Sequence, residues 1–382
     1  MLHRCWRLVA AMSWVVLAAC GSEAPPEPDL DQKIGQMVMM GFVGTTPDDP
    51  GVQATLQHIR SGHLGGVVFY RYNVQGPEQV AALNAAFQDA TPGPLPLLRA
   101  LDQEGGRVQR LSAANGFRSH PSAWVVAHEQ TPEEALSTYR DQAAMIRAAG
   151  FNFNLAPVVD LHAAPGAADA APGSPVIGGL QRAFSSDPAT VVRYAGAAIR
   201  AHHAEGLLTS LKHWPGHGLA GGDSHQGLVD ITDDYQAIER DTFRLLIQAG
   251  LADSVMGAHL VNRHVDPQFP ITLSSRYLEP WLRQHDGFNG VIITDDLFMG
   301  AIQRYHSLDE TVVRAIQAGN DLLIFSNNPA AAPDVPGFEP QHDIPLQVIA
   351  IVRAAIARGE LTEARIDASY QRLQALRRRA AN

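Results

Sequence analysis

The chain has 382 residues, 46% of them hydrophobic, which is ample for one large domain with its own buried core. A formal net charge of −10 excludes a nucleic-acid binder, which would need a basic surface to displace counterions. With 2 cysteines in the whole sequence, stability has to come from burial and not from a disulfide framework.

At the N-terminus, His3, Arg4 and Arg7 precede an almost wholly apolar stretch, residues 8–19, which runs into Leu17-Ala18-Ala19-Cys20. The apolar run is too short to span a bilayer comfortably as a permanent helix, and a cysteine after Leu and two small residues resembles a bacterial lipoprotein cleavage site. Residues 1–20 therefore read as a lipoprotein-type signal ending at Cys20, which becomes the lipidated N-terminus. Residues 21–29, rich in Pro and Glu, read as a tether, and residues 30–382 as the folded domain. An ordinary cleaved signal with an incidental cysteine is the alternative. Either reading places the mature protein outside the cytoplasm, on the periplasmic side of a bacterial membrane, and Gly21 favours the outer membrane. Cys5 would leave with the signal, so that Cys20 would have no internal partner.

Short runs rich in Val, Ile, Leu and Phe then recur at 37–43, 65–70, 95–101, 151–156, 207–212, 253–258, 290–294 and 321–326. Between most of them lie segments with helical spacing and good end signals. Thr131 can cap, Pro132 suits the first turn, Glu134 can reach back and Gly150 can stop the helix. Asp187-Pro188 and Gly206 bracket another helix, with Val191, Val192, Ala195, Ala198 and Ile199 on its apolar side. This alternation predicts an α/β fold, a (β/α)8 TIM-type barrel forming a single domain, with residues 342–380 as C-terminal helices covering it. The segment 161–175, full of Ala, Gly and Pro, reads as a loop insertion. Asp102, Asp160, His213, His259 and Asp295 all fall just after apolar strands, on the barrel face that carries active sites.

Several motifs could carry chemistry. Asp102-Gln103-Glu104-Gly105-Gly106-Arg107-Val108-Gln109-Arg110 leaves a strand through glycines; Asp102 and Arg110 could bind sugar hydroxyls or pair with each other to hold the loop. Lys212-His213-Trp214-Pro215-Gly216-His217-Gly218, followed by Asp223-Ser224-His225, reads as a glycine-rich loop. On an extended segment Asp223 and His225 would face one way, so that the carboxylate orients the imidazole and raises its pKa for proton shuttling. A zinc site built from His213, His217, Asp223 and His225 is a competing reading. Trp214 could stack on a sugar or pack in the core, and His259 could line the pocket or satisfy a loop carbonyl. In Thr294-Asp295-Asp296 adjacent side chains point oppositely, so one acid faces the barrel mouth while the other meets backbone amides.

Together, DQEGGRVQR, KHWPGHG with DSH, MGAHL and GVIITDDLFMGA resemble, in this order, the β-N-acetylglucosaminidase (β-hexosaminidase) branch of glycoside hydrolase family 3. The similarity runs from about residue 30 to about residue 328, and it lowers the metal reading. It implies a retaining, exo-acting hydrolase of terminal β-linked N-acetylglucosamine in peptidoglycan fragments or chitin oligosaccharides. In that pattern Asp295 is the covalent nucleophile, His225 the acid/base and Asp223 the residue that orients it. Asp102, Arg110, Arg182, Lys212 and His213 would bind the terminal sugar. The resemblance implies no metal and no organic cofactor; the partner is an oligosaccharide or muropeptide substrate, and the chain is expected to be a monomer that touches a membrane only through its N-terminal lipid. A family 3 β-glucosidase or β-xylosidase, and a catalytically silent lipoprotein that binds wall sugars, are the alternative readings.

Overall fold

The computed structural model describes residues 27–162, 173–327 and 339–381. The signal segment, Cys20 and most of the 161–175 insertion lie outside them. Eight parallel strands close into a barrel: β1 Val38–Met40, β2 Gly66–Phe69, β3 Leu98–Leu101, β4 Phe153–Asn154, β5 Leu208–Trp214, β6 Ser254–Gly257, β7 Val291–Asp296 and β8 Leu322–Phe325. Each pairs with its neighbours in sequence, and β1 closes the ring on β8 through Val38 opposite Leu323. All eight fall at the expected apolar runs, which read as continuous because parallel barrel strands are buried on both faces. β5 runs further than expected, so Lys212, His213 and Trp214 belong to a strand and not to the loop. A two-residue pair outside the barrel, Val229–Asp230 with Leu260–Val261, had no sequence signal.

The crossover helices start and stop where the caps place them. Thr131 and Glu134 form a reciprocal capping box on Pro132–Ala148, and Gly150 leaves that helix at φ 90°, a conformation a side chain would disfavour. Asp187 accepts the Thr190 amide to open Pro188–Ala204, which buries Val191, Ala195, Ala198 and Ile199 and half-buries Val192. Between β6 and β7 the crossover is a π-helical segment, Leu278–His285. Phe42, Phe69, Phe87 and Phe151 meet edge to face under the helix Pro77–Asp89, with centroids 4.8–6.0 Å apart.

The terminal helices are Ile344–Ala357 and Glu363–Ala381. The second closes the N-terminal mouth of the barrel. Arg377 donates to the Pro96 and Leu95 carbonyls ahead of β3 at 2.8 and 3.0 Å, and Arg379 pairs with Asp253 ahead of β6. At the entry to β8, the fully buried Asp321 accepts from Ser369 at 2.7 Å and from Arg372 and Arg365 at 3.2 and 3.4 Å. It also takes the Ile292 amide at 3.0 Å and an Arg283 guanidinium hydrogen bond. With this end plugged, the C-terminal ends of the strands are left to form a site. Replacing Asp321 by Ala leaves buried guanidinium groups without their counter-charge and should destabilise the fold by about 3–5 kcal/mol; an unchanged denaturant midpoint would show that this cluster contributes nothing.

Candidate active site

A cavity of about 720 Å³ opens at the C-terminal mouth of the barrel, lined by Asp102, Arg110, Arg182, Lys212, His213, Asp223, His225 and Asp295. The eight candidate catalytic and sugar-binding residues are thus brought to one place, although they come from three strand ends and three loops. Tyr70, Arg71, Tyr72, Leu155, Val176, Met256, Met299 and Asp296 are among the other residues of its walls. Trp214 is not among them: it is buried in the core with its ring edge toward Tyr277, which decides for packing.

The floor is an ion cluster. Asp102 accepts from Lys212 Nζ at 2.7 Å and from Arg110 Nη2 at 2.8 Å. Glu104 takes Arg182 through Nε at 2.7 Å and Nη2 at 2.8 Å, a forked pair, and shares Lys212 at 2.7 Å. Burial works to raise the pKa of both acids, but the adjacent cations outweigh it: Lys212 and Arg110 hold Asp102 well below the usual carboxylate range, and Arg182 and Lys212 hold Glu104 down at about 2. Asp102 and Arg110 thus form the internal pair, and both line the cavity.

The loop behind this floor is held by amides. Asn154, on β4, accepts the Gln103 amide at 3.0 Å and donates to the Gln103 carbonyl at 3.0 Å. Gln103 Oε1 in turn accepts the Arg110 and Leu111 amides at 2.9 and 3.0 Å. On the next strand end, Asp160 is fully buried and accepts the His213 ring at 2.8 Å and the His213 and His217 amides at 3.0 Å each. With Nδ1–H directed to Asp160, His213 Nε2 is left facing Arg182 at 3.5 Å.

The two acids of β7 part as the pleat requires. Asp296 is buried, and its Oδ1 accepts the Ser326 amide at 2.7 Å and the Phe298 amide at 3.0 Å. Burial pushes its carboxyl up to about 6. Asp295 faces the cavity, and its only hydrogen bond among the described residues is from the Asp296 amide at 2.8 Å. Burial works to raise its pKa, but His259, His213 and that amide together lower it, which favours the carboxylate. His259 does not line the cavity: fully buried, it faces the Asp296 carbonyl through Nε2 at 2.8 Å and Thr272 Oγ1 through Nδ1 at 2.7 Å, so it supports the strand end that presents Asp295.

His225 Nδ1 lies 2.8 Å from Asp223 Oδ1, leaving Nε2 as the ring atom able to exchange a proton. The local geometry differs from the expected one. Residues 224–226 form a turn, not an extended segment, and the pairing arises because Asp223 Oδ1 also accepts the His225 amide at 2.9 Å. The side chain of His225 is 49% exposed, so the dyad sits on the cavity rim. His213 is engaged by Asp160, His217 by Ser174, and Asp223 and His225 by each other, and among the described residues no three His, Cys, Asp or Glu side chains are grouped as metal ligands.

Glu104 and Asp160 are the functional residues that sequence reasoning left without a role. Glu104 looked like a charged turn residue, and its partner Arg182 lies 78 positions on. Asp160 carried one signal, its place at a strand end.

A closed (β/α)8 barrel with an acid-lined cavity at its C-terminal mouth defines a barrel enzyme. The chain matches the glycosyl hydrolase family 3 N-terminal domain model over residues 29–376 and belongs to that family. It is 35% identical over 299 residues to a β-hexosaminidase of Xylella fastidiosa, covering 75% of this chain and 82% of that one. Among solved structures, a family 3 β-N-acetylglucosaminidase from Paenibacillus superposes with a TM-score of 0.79 at 34% identity; the match covers 93% of this chain and 63% of that larger enzyme. A β-N-acetylhexosaminidase from Beutenbergia cavernae superposes with a TM-score of 0.76 at 31% identity, covering 92% of this chain and 99% of that one.

The depressed carboxyl of Glu104 makes a signed prediction. A folded-state pKa near 2, below the ordinary 4.5, contributes stability that is fully present above about pH 5 and lost as pH falls toward 2. Stability measured across this window should fall by about 3 kcal/mol less in Glu104→Gln than in the wild type. Parallel curves would show that the ion cluster is not what couples folding to acid.

Proposed function

We propose that the chain is a retaining, exo-acting β-N-acetylglucosaminidase, with Asp295 as nucleophile, His225 as acid/base and Asp223 orienting His225. The observation that carries this reading is the opening of an ionised carboxylate and a carboxylate-paired imidazole onto one cavity. The names borne by the Xylella, Paenibacillus and Beutenbergia relatives support the sugar specificity.

Asp102, Arg110, Arg182, Lys212 and His213 bind the hydroxyls of the terminal sugar. Their mutual ion pairs keep them in place before the ligand arrives, so little is lost in ordering them. Asp295 attacks the anomeric carbon while His225 Nε2 protonates the departing glycosidic oxygen. In the second step neutral His225 removes a proton from water, which releases the sugar from Asp295 with its configuration retained. Asp296, tied to backbone amides, is not the nucleophile. No metal or organic cofactor enters these steps.

Residues 1–20 are the lipoprotein signal, Cys20 is the lipid-bearing N-terminus, residues 21–29 are the tether and residues 30–382 the catalytic domain. The protein is periplasmic, held to the outer membrane by its lipid alone. It acts as a monomer on peptidoglycan fragments or chitin oligosaccharides. Among the described residues no helix is long and apolar enough to cross a membrane.

The test is release of p-nitrophenol from the β-N-acetylglucosaminide and the β-glucoside, side by side, with excess chelator present. Turnover of the first alone, abolished by Asp295→Ala, is the expected result. Preference for the glucoside, full activity in Asp295→Ala or loss of activity with chelator would overturn the reading, and turnover of neither would favour a silent sugar-binding protein.

A further inference from the structure

His225 sits near the far end of a segment that leaves β5 and contains Gly216, Gly218, Gly221, Gly222 and Gly227. Such a segment has no intrinsic stiffness, yet proton transfer needs the imidazole within hydrogen-bond reach of the reacting oxygen. Contacts at three points along the segment supply what its own sequence does not.

At the root, Glu239 Oε2 accepts the Gly218 and Leu219 amides at 2.9 and 3.3 Å. Glu239 is buried in the first turn of the helix Glu239–Gln248, and Thr242 of that helix donates to the Val159 carbonyl at 2.7 Å, fixing it to the segment that follows β4. In the middle, Ser224 Oγ lies 3.4 Å from His217 Nε2. At the tip, the His225 backbone rests on Gly300: a Cβ added there would lie 2.8 Å from the His225 carbonyl oxygen and 3.7 Å from the Gln226 carbonyl carbon. Gly300 follows Asp295 by five residues, so one stretch of chain presents the carboxylate and seats the imidazole-bearing loop.

We propose that Gly300 and Glu239 are positioning residues for the acid/base step, seating the tip and the root of the loop that carries His225. The inference rests on the assignment of His225 made above. A side chain at 300 lifts the tip away from the cavity, and loss of the acceptor at 239 frees the root. Neither residue lines the cavity. Burial, with Asp160 nearby, raises Glu239 to about 8, so near neutral pH it is largely a carboxylic acid that glutamine imitates in shape and in its acceptor oxygen.

The experiment compares kcat/KM for chitobiose, whose leaving group needs a proton, with kcat/KM for the 2,4-dinitrophenyl β-N-acetylglucosaminide, whose leaving group does not. The variants are Gly300→Ala, Gly300→Val, Glu239→Ala, Glu239→Gln and His225→Ala. Gly300→Val and Glu239→Ala should lose about 10- to 100-fold on chitobiose and less than about 3-fold on the activated substrate, following the pattern of His225→Ala. Gly300→Ala should show a smaller loss of the same kind, which keeps the test open if the Val variant does not fold, and Glu239→Gln should stay near wild type. Equal loss on both substrates, or none, in the loop variants while His225→Ala discriminates would overturn the positioning role alone. A His225→Ala variant that does not discriminate would overturn the acid/base assignment and this inference with it.

Discussion

The cluster of Asp102, Glu104, Lys212, Arg182 and Arg110 is the constraint around which the site is arranged. Lys212, buried on β5, is tolerable only because Asp102 and Glu104 both reach it at 2.7 Å. Those acids lie beyond β3, and Glu104 draws Arg182 in from the segment ahead of the helix Pro188–Ala204. Three parts of the chain are therefore locked by charge at one depth. The same contacts that balance the charges set a polar floor, so the geometry that stabilises the fold also shapes the cavity. Asp295 lines the same cavity, and among the described residues its carboxylate accepts a hydrogen bond only from the neighbouring amide.

The two mouths of the barrel divide the work. At the N-terminal mouth, Asp321 and Asp253 gather arginines from the last helix, and nothing there opens onto the cavity that holds the candidate residues. At the C-terminal mouth, buried acids hold loops through amides: Asp160 the His213–His217 turn, Glu239 the next stretch, Asp296 the entry to Met299 and Gly300. Buried acids outside the proposed chemistry thus fix irregular backbone beside the groups proposed to carry it.

How much of this was legible in the sequence follows the range of the interactions. Strands and helix ends are local, and the apolar runs together with Thr131, Asp187 and Gly150 placed them closely. The pleat at Thr294-Asp295-Asp296 is local too, and it separated the partly exposed Asp295 from Asp296, which is buried and meets amides. The Asp223–His225 pair was legible as a pair but not as a turn, because an aspartate two positions before a residue can cap that residue's amide as readily as it can lie beside it on a strand. Glu104 and Glu239 were opaque and Asp160 carried only its place after an apolar run: their partners lie 78, 21 and 53 positions away, and nothing near each residue distinguishes a structural acid from a solvated one. The fate of Trp214 and His259 also depended on which face of a strand end became core, which only the closed barrel decides.

The account turns on a sugar bonded covalently to Asp295. Its most direct test is to treat the enzyme with a 5-fluoro N-acetylglucosaminyl fluoride, which forms and releases the covalent species slowly, and to sequence the labelled peptide by mass spectrometry. The account predicts one added sugar residue on the peptide containing Thr294-Asp295-Asp296, with fragment ions placing it on Asp295. Label on Asp296 or Asp223, or turnover that inverts the anomeric configuration without any label, would contradict it.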